Sequence, residues 1–228
     1  MRTRKILVVF GTRPEAVKMA PVCHALKARP KQFETIICDT GQHREMTGHI
    51  LSRFDITPDI LLNVMQPNQT LFQLTGAVLR TFDEVLQKHK PDAVLVQGDT
   101  TTAMAAALGA FYAKCAVGHV EAGLRTHQKY SPFPEEMNRK MISHLGDFHF
   151  TPTALATKNL RDEGIPAEKI WETGNTVVDA LEFMLPRLKG TFSETTLKSL
   201  LPQLADREMV LITCHRRESF GDDLRKIC

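Results

Sequence analysis

The sequence has few of the cysteine patterns that stabilise or activate small proteins. Its five cysteines include no C-x-x-C pair, and none lies near histidines at the spacing of zinc ligands. Isolated cysteines of this kind are typical of free, buried thiols in a reducing cytosol. They are Cys23, Cys38, Cys115, Cys214 and Cys228.

Long hydrophobic runs and strong charge are also missing. The apolar run at 6–10 is too short for a signal peptide. The segment 104–120 is alanine-rich and is broken by Gly109, Lys114 and Gly118, so it does not span a bilayer. A net charge of +3 without a long Lys/Arg run gives no reason to expect nucleic acid. We therefore expect a cytoplasmic protein with neither a membrane nor a nucleic-acid partner.

Several catalytic and cofactor motifs are absent. No H-E-x-x-H motif, E-x-x-H pair or Cys cluster supports a metal, and no G-x-S-x-G supports a hydrolase nucleophile. The segment 11–18 has the place of a Rossmann phosphate loop but neither the G-x-G-x-x-G nor the Walker A spacing. The sequence thus gives only weak support for a bound dinucleotide, and we expect no cofactor.

What the sequence does contain is a regular alternation of β-rich and helical segments. With 43% hydrophobic and 24% charged residues, it can form a sizeable core. Strands are predicted at 6–10, 34–39, 60–63, 93–96, 116–120, 148–150, 169–173 and 209–213. Helices are predicted to about 29, at 45–54 and 70–89, to about 113, and at 135–145, 153–163, 176–188 and 193–204. This order predicts an α/β fold with a doubly wound parallel sheet.

The chain also stops inside what reads as an unfinished strand–helix unit at 221–228. We therefore expect a fragment, or a truncated product, of a longer two-domain protein. Residues 1–175 would form a first Rossmann-like domain, and residues 176–228 would begin a second.

Polar residues are gathered where the predicted strands end. The beginnings of the strands carry only turn residues such as 90–92. In doubly wound sheets, ligands bind beyond the carboxyl ends of the strands. The segments at these ends are 11–15, 41–43, 98–100, 121–125, 174–175 and 215–218.

Four carboxylates, two in these segments and two at the start of the predicted helix at 135–145, allow a structural and a functional interpretation. Asp99 follows a strand and a glycine, and it could simply cap a helix. Glu135 and Glu136 could be ordinary acids in the first turn of a helix. Glu121 follows an apolar strand directly and has no obvious capping role, which favours a function.

Cations and histidines at the same edge are equally ambiguous. Arg13 and Lys18 near a helix N-terminus suit a diphosphate, but both could be surface side chains. His215 directly follows a strand and is followed by two arginines, whereas His43 and His119 could be structural. Together the groups suit acid/base chemistry on a neutral substrate with an anionic leaving group.

Seven motifs, in order over the whole chain, resemble the bacterial non-hydrolysing UDP-N-acetylglucosamine (UDP-GlcNAc) 2-epimerases. They lie at 11–21, 42–46, 98–102, 118–126, 131–139, 174–179 and 215–221. The block Ser-Pro-Phe-Pro-Glu-Glu-Met-Asn-Arg at 131–139 resembles the non-hydrolysing branch more than the hydrolysing one. The resemblance implies the first half of a two-domain, glycosyltransferase-B-like architecture.

The resemblance also implies an isomerase that needs no metal and no nicotinamide. It would interconvert UDP-GlcNAc and UDP-N-acetylmannosamine (UDP-ManNAc) for cell-surface polysaccharides. It would do so by anti elimination of UDP to 2-acetamidoglucal, followed by syn re-addition. A homodimer is implied as well.

Residue roles follow from the same resemblance. Asp99, Glu121 and Glu135 would be the acid/base group, and Asp99 and Glu121 would also touch substrate. Arg13, Lys18 and His215 would hold the substrate and its diphosphate, and His215 also counts among the catalytic residues. A separate pair, Gln42 and Glu136, resembles positions that bind a second, activating UDP-GlcNAc in some members.

Departures from the family pattern leave other interpretations open. The second domain with its Ser-Gly-Gly loop is missing, and Gln97 and Cys214 replace the usual histidine and glycine. We therefore expect this chain alone to turn over slowly or not at all. A glycosyltransferase or a hydrolysing epimerase on the same scaffold is one alternative. A nucleotide-sugar-binding or dimerisation module is another.

Overall fold

The structure, a computed structural model, describes residues 2–41 and 44–188, without the side chains of residues 44–47. The predicted helix at 193–204 and the predicted strand at 209–213 lie outside these residues. Gln42, His43 and His215 lie outside them as well.

Strands and helices alternate through the described chain, as predicted. The strands are β1 Arg4–Phe10, β2 Phe33–Asp39, β3 Ile60–Leu61, β4 Ala93–Gln97, β5 Ala116–Val120, β6 Phe148–Thr151 and β7 Ile170–Glu172. The α-helices are α1 Arg13–Lys27, α2 Arg44–Arg53, α3 Leu71–His89, α4 Thr101–Tyr112, α5 Glu135–Leu145, α6 Ala154–Asp162 and α7 Thr176–Leu188. A short 3₁₀ helix, Ala167–Lys169, precedes β7. No helix in the described ranges has both the length and the apolar character needed to cross a membrane.

All the strand pairs in the sheet are parallel, in the order β3-β2-β1-β4-β5-β6-β7. The direction of the winding reverses between β1 and β4, which pair through Ile6 with Ala93 and through Val8 with Leu95. The predicted doubly wound α/β fold is therefore confirmed. The reversal also defines the point at which such sheets open a crevice for a ligand.

The central strand is buried on both faces, as its continuous apolar run predicts. Leu7 and Val9 belong to one core cluster, which includes residues of α3, α4 and α5. Ile6, Val8 and Phe10 belong to the other, which includes residues of α1, α2 and α7. Successive side chains of a strand point to opposite faces, so a single apolar run contributes to both cores.

Threonine side chains define where several helices begin. Thr12 caps α1 and forms a capping box with Glu15, and Pro14 lies in the first turn of this helix. Thr70 caps α3 and is not its first residue. Thr100, not Asp99, caps α4, because its hydroxyl accepts the N–H of Ala103. The interpretation of Asp99 as a simple helix cap is therefore wrong.

Helix α7 begins where the first predicted domain ends. The first of the two units into which the chain divides runs through Leu185. Within it, Ala180 is buried in the second core cluster, and the ring of Phe183 stacks on those of His24 and Phe54, with centroids 4.9 and 5.3 Å apart. The boundary after Asn175 concerns the domains of a longer protein and stays a prediction.

Candidate active site

The candidate site lies at the carboxyl ends of β1, β4 and β5, where the winding reverses. Glu15 joins two of the loops there. Its Oε2 accepts the N–H groups of Gly11 and Thr12 at 3.1 and 2.7 Å, and its Oε1 accepts the hydroxyl of Thr100 at 2.7 Å. Burial raises the pKa of Glu15, although these hydrogen bonds act in the opposite direction. The bridge fixes the loop of Arg13 against the loop that begins α4.

Glu121 lies at the centre of the site, directly after β5. Its φ of +62° is left-handed, a conformation that non-glycine residues seldom adopt without a reason. The Nζ of Lys18 lies 2.7 Å from its Oε1 and 2.6 Å from its Oε2. Asn175 donates to Oε1 at 2.9 Å, and the Gln97 amide donates to Oε2. All these partners are side chains, so the carboxylate is held within the crevice and caps no helix.

Two glycines adopt left-handed backbone conformations in the turns of the site. Gly98 has a φ of +70°, and a Cβ there would lie 3.9 Å from Oε2 of Glu121. Gly123 has a φ of +87°, and a Cβ there would lie 2.2 Å from the carbonyl oxygen of Ala156, closer than real atoms approach. Position 123 therefore requires glycine both for the turn and for the contact with α6.

Asp99 is partly buried beside the start of α4. Arg139 of α5 forms an ion pair with it at 3.4 Å, and Asn138 donates to its backbone oxygen at 2.9 Å. Burial raises the pKa of Asp99, and the attraction of Arg139 opposes this effect. The negative charges of Glu135 and Glu121 add to the increase in pKa. The predicted acid/base carboxylates therefore lie close enough to influence one another.

Glu135 is the first residue of α5 and differs from the other carboxylates of the site. Its Oε2 is buried, and within the described part of the chain this oxygen has no hydrogen-bond partner. Buried polar atoms are nearly always paired, so this oxygen points to a partner that the described residues do not supply.

Glu136 has a structural environment that its neighbour lacks. It is fully buried, and its two oxygens accept the N–H groups of Thr126 and His127 at 3.0 and 3.1 Å. Burial acts to raise the pKa of Glu136. The hydrogen bonds from Thr126 and His127 and the charge of Arg139 more than offset it, so the pKa lies below its usual value. The carboxylate fixes the loop between β5 and α5. Its part in a second, activating site stays a prediction.

The two predicted cations lie on the first turns of α1. Arg13 is exposed, and among the described residues no ion-pair partner contacts it, whereas Lys18 is paired with Glu121. Both line a cavity of about 390 Å³. Its other lining residues are Pro14, Val17, Ile50 and Val177. Two cations beside a helix N-terminus form a suitable environment for a phosphate.

His119 is fully buried and its Nε2 bonds the carbonyl oxygen of Gly98 at 2.7 Å, so it is a structural histidine. His215 and Gln42 lie outside the described residues. In the described part of the chain, no three His, Cys, Asp or Glu side chains are grouped to share a metal ion.

Some residues of the site have no assigned role from the sequence alone. Gln97 and Asn175 bind Glu121, Glu15 joins two loops, and Asn138 and Arg139 contact the loop of Asp99. Asn138 and Arg139 follow Glu135 by three and four residues, the spacing that places helical side chains on one face. That spacing could have identified them. No local signal identifies the partners of Glu121, because they come from distant elements.

Comparison with known proteins identifies the family to which this chain belongs. The family model described as UDP-N-acetylglucosamine 2-epimerase matches residues 24–228. The UDP-N-acetylglucosamine 2-epimerase of Salmonella typhimurium is 51% identical over 226 residues, which are 98% of this chain and 60% of the relative. The chain thus spans about 60% of the length of the curated relatives it matches.

Solved structures agree with the sequence comparison. A crystal structure of UDP-GlcNAc 2-epimerase from Neisseria meningitidis bound to UDP-GlcNAc has a TM-score of 0.90 and 48% identity, over 98% of this chain and 60% of that one. A crystal structure of the Methanocaldococcus jannaschii UDP-GlcNAc 2-epimerase in complex with UDP-GlcNAc and UDP has a TM-score of 0.76 and 34% identity, over 88% and 54%. The chain therefore belongs to the UDP-N-acetylglucosamine 2-epimerase family.

Proposed function

We propose that this chain provides the first domain, and most of the acid/base groups, of a non-hydrolysing UDP-GlcNAc 2-epimerase. The substrates are UDP-GlcNAc and UDP-ManNAc, and the reaction eliminates UDP and adds it back to 2-acetamidoglucal. Family membership supports this proposal, as do the two related structures that contain UDP-GlcNAc or UDP.

The chemistry explains why several carboxylates are needed. The proton on C2 of the sugar is not adjacent to a carbonyl carbon, so a base cannot remove it directly at a useful rate. Departure of UDP builds positive charge at C1 and makes that proton removable. Carboxylates near the sugar stabilise the charge and carry the proton, while cations hold the departing diphosphate.

The proposed roles follow from the positions of the side chains. Asp99, Glu121 and Glu135 form the acid/base group, and the raised pKa of Asp99 suits a carboxyl that both gives and takes a proton. Arg13 and Lys18 lie where the diphosphate would meet the N-terminus of α1. His215 is proposed as a further catalytic and substrate-binding residue.

The strongest single support for the proposal is the buried Oε2 of Glu135, which has no hydrogen-bond partner in the described part of the chain. It lies in the same charge cluster as Asp99 and Glu121. A module that only bound a nucleotide sugar would have no need to bury an unpaired carboxylate oxygen beside two further carboxylates, because burying it costs free energy.

Product analysis tests the proposal. The sample is this chain continued to the full length of its curated relatives, called here the extended enzyme. After incubation with UDP-GlcNAc, anion-exchange chromatography should show UDP-ManNAc and unchanged UDP-GlcNAc at equilibrium, with no steady accumulation of UDP. UDP that accumulates together with free N-acetylmannosamine would identify a hydrolysing epimerase instead. UDP that accumulates only when an acceptor sugar is added would identify a transferase.

Three broader features are part of the same proposal. The extended enzyme is a cytoplasmic homodimer. The sequence boundary between its two Rossmann-like domains follows Asn175, so residues 176–228 begin the second domain. Exposed apolar side chains such as Phe72, Phe111 and Tyr112 support an interface between subunits. Light scattering of the extended enzyme at micromolar concentration should give twice the mass of one chain, and a monomer mass would contradict the dimer.

A further inference from the structure

The Glu121 carboxylate is held symmetrically by two neutral amides. Asn175 donates to Oε1 at 2.9 Å and Gln97 donates to Oε2, while the Lys18 ammonium contacts both oxygens. Within the described residues, Lys18 is its only ion-pair partner. The cation therefore supplies the charge, and the amides determine the direction of each oxygen.

Both amides are themselves fixed. Gln97 is the last residue of β4 and is only 3% exposed. The Oδ1 of Asn175 accepts the N–H of Val177 in the first turn of α7, at 3.1 Å. With its oxygen committed to the helix, the Nδ2 of Asn175 faces Glu121. The reverse orientation would place a carbonyl oxygen against a carboxylate and leave the helix start without its acceptor.

Glu121 lies between these two amides on a backbone that is already constrained by its left-handed φ. A carboxylate with one fixed donor on each oxygen cannot rotate about its last bond without breaking a hydrogen bond. Such restraint is what a reacting group requires, because small errors of position greatly reduce the rate.

We propose that Gln97 and Asn175 are positioning residues that orient Glu121 towards the bound sugar. The proposal rests on the proposed epimerase function and adds two residues to it. It also makes the start of α7 part of the site, because Asn175 directly precedes that helix, accepts the N–H of Val177 and binds Glu121. Neither residue needs to touch the substrate, and both act through Glu121.

Asn175→Asp separates positioning from helix capping. Aspartate keeps the oxygen that accepts the N–H of Val177 and caps a helix as well as asparagine. It cannot donate to Glu121, and its charge repels that carboxylate. In the extended enzyme we expect kcat to fall about 10- to 100-fold with KM for UDP-GlcNAc nearly unchanged, as expected when a hydrogen bond to a charged group is lost. The same change at exposed Asn68 is the matched control and should leave kcat unaltered.

Gln97→Met provides a second test from the other side of the carboxylate. Methionine keeps the length of the side chain but removes the donor, so kcat should fall while KM changes little. Gln97→His restores an N–H donor and should recover part of the rate. Equal rates in Gln97→Met and the unsubstituted enzyme would overturn the proposal, as would a kcat for Asn175→Asp that matches that of Asn68→Asp.

A spectroscopic measurement on the 228-residue chain decides the contact itself without turnover. With ¹³C-labelled glutamate, the side-chain carboxyl resonance of Glu121 is assigned by its loss in Glu121→Gln. Asn175→Asp and Gln97→Met should each shift this resonance, and Asn68→Asp should not. An unchanged resonance in both site variants would overturn the proposal. Absence of any epimerisation by the unsubstituted extended enzyme would contradict the proposed function, while the resonance would still decide whether the amides hold Glu121.

Discussion

Carboxylates lie at both edges of the sheet, but they serve different purposes there. At the amino ends of the strands, an aspartate directly precedes a strand and exchanges hydrogen bonds with one residue of the neighbouring strand. The carboxylate accepts the backbone N–H of that residue, whose carbonyl oxygen accepts the N–H of the aspartate. These carboxylate bonds join Asp59 to Ile37 at 2.8 Å, Asp92 to Lys5 at 2.8 Å and Asp147 to Val117 at 3.0 Å.

In the described part of the chain, the three proposed acid/base carboxylates at the carboxyl ends of the strands accept no backbone N–H, unlike Glu15 and Glu136 at the same edge. Glu121 is held by side chains alone, Asp99 pairs with Arg139, and one oxygen of Glu135 has no partner in the described part of the chain. The same chemical group therefore stabilises strand pairing at one edge and remains available for chemistry at the other. The difference predicts that substitutions at the two edges will affect activity and stability separately.

The largest expected effect is a loss of activity at the carboxyl edge. Glu135→Gln keeps the shape of a side chain whose Oε2 has no hydrogen-bond partner among the described residues. We expect the epimerisation rate of the extended enzyme to fall by about 10²–10⁴-fold, the usual contribution of an acid or base. The free energy of unfolding should not fall, because the substitution removes a charge from a buried oxygen that has no partner among the described residues.

Exposed Glu168→Gln is the matched control for this change and should alter neither quantity. Denaturant unfolding and initial rates measure the two effects on the same preparations. Full activity in Glu135→Gln would remove the distinction between the edges.

A substitution at the amino edge should give the opposite result. Asp147→Ala leaves the N–H of Val117 without its acceptor, and Val117 is fully buried. We expect a loss of about 1–3 kcal/mol in the free energy of unfolding, the cost of an unsatisfied buried donor. The rate per folded molecule should not change. A stability loss confined to Glu135→Gln, with none in Asp147→Ala, would contradict the comparison.

Histidines near the carboxyl edge provide a test through pH. Burial lowers the pKa of His119 to about 3, and the adjacent His149, also buried, has its pKa lowered to about 4. Below the ordinary histidine pKa of about 6.5, the unfolded chain binds protons that the folded chain does not. The free energy of unfolding therefore decreases as the pH is lowered. For His119 alone we expect a loss on the order of 2 kcal/mol between pH 6.5 and pH 5.

The comparison variant for this test is His119→Gln. Its free energy of unfolding should fall less steeply over the same pH interval, as measured by denaturant titration at each pH. Parallel curves for the two proteins would show that His119 is not the group responsible.

The smallest expected effect concerns the charge on Asp99. Because burial raises its pKa, its contribution to stability is present at low pH and is lost as the pH rises through the folded value. Asp99→Asn removes this dependence. The melting temperature of the variant relative to the unsubstituted chain should therefore increase between pH 4 and pH 7, even though Arg139 loses one of its two ion-pair partners. A constant difference would contradict the raised pKa.

The fold was accessible from the sequence because its signals are local. The apolar run of β1 predicts a strand buried on both faces. The regularly spaced apolar residues of α3 predict a helix at 70–89, and the observed helix starts one residue later, at Leu71. The strand predicted at 60–63 ends early, at Leu61, where β3 pairs only with the end of β2. Asn63 has a left-handed φ of +52°, so the chain turns away from the sheet there.

The site was accessible only in part. The clustering of polar residues at the strand ends predicts where Asp99, Glu121 and Glu135 meet, since parallel strands end at one edge. Which carboxylates are free could not be predicted from residue types. Glu135 and Glu136 are neighbours in sequence, and only the path of the loop through Thr126 and His127 makes the second one structural. The amides on Glu121 come from β4 and from the start of α7, at sequence separations that no local pattern reports.

The central claim is that the carboxylates at this edge move the proton on C2 of a nucleotide sugar. Proton NMR of the extended enzyme with UDP-GlcNAc in deuterated water tests it directly, beside the 228-residue chain alone. We predict that deuterium replaces hydrogen at C2 as UDP-ManNAc forms, and that the Glu135→Gln variant loses this exchange while Asp147→Ala keeps it. Epimer that forms with its original hydrogen still on C2 would contradict the account, because no carboxylate would then have exchanged that proton with the solvent.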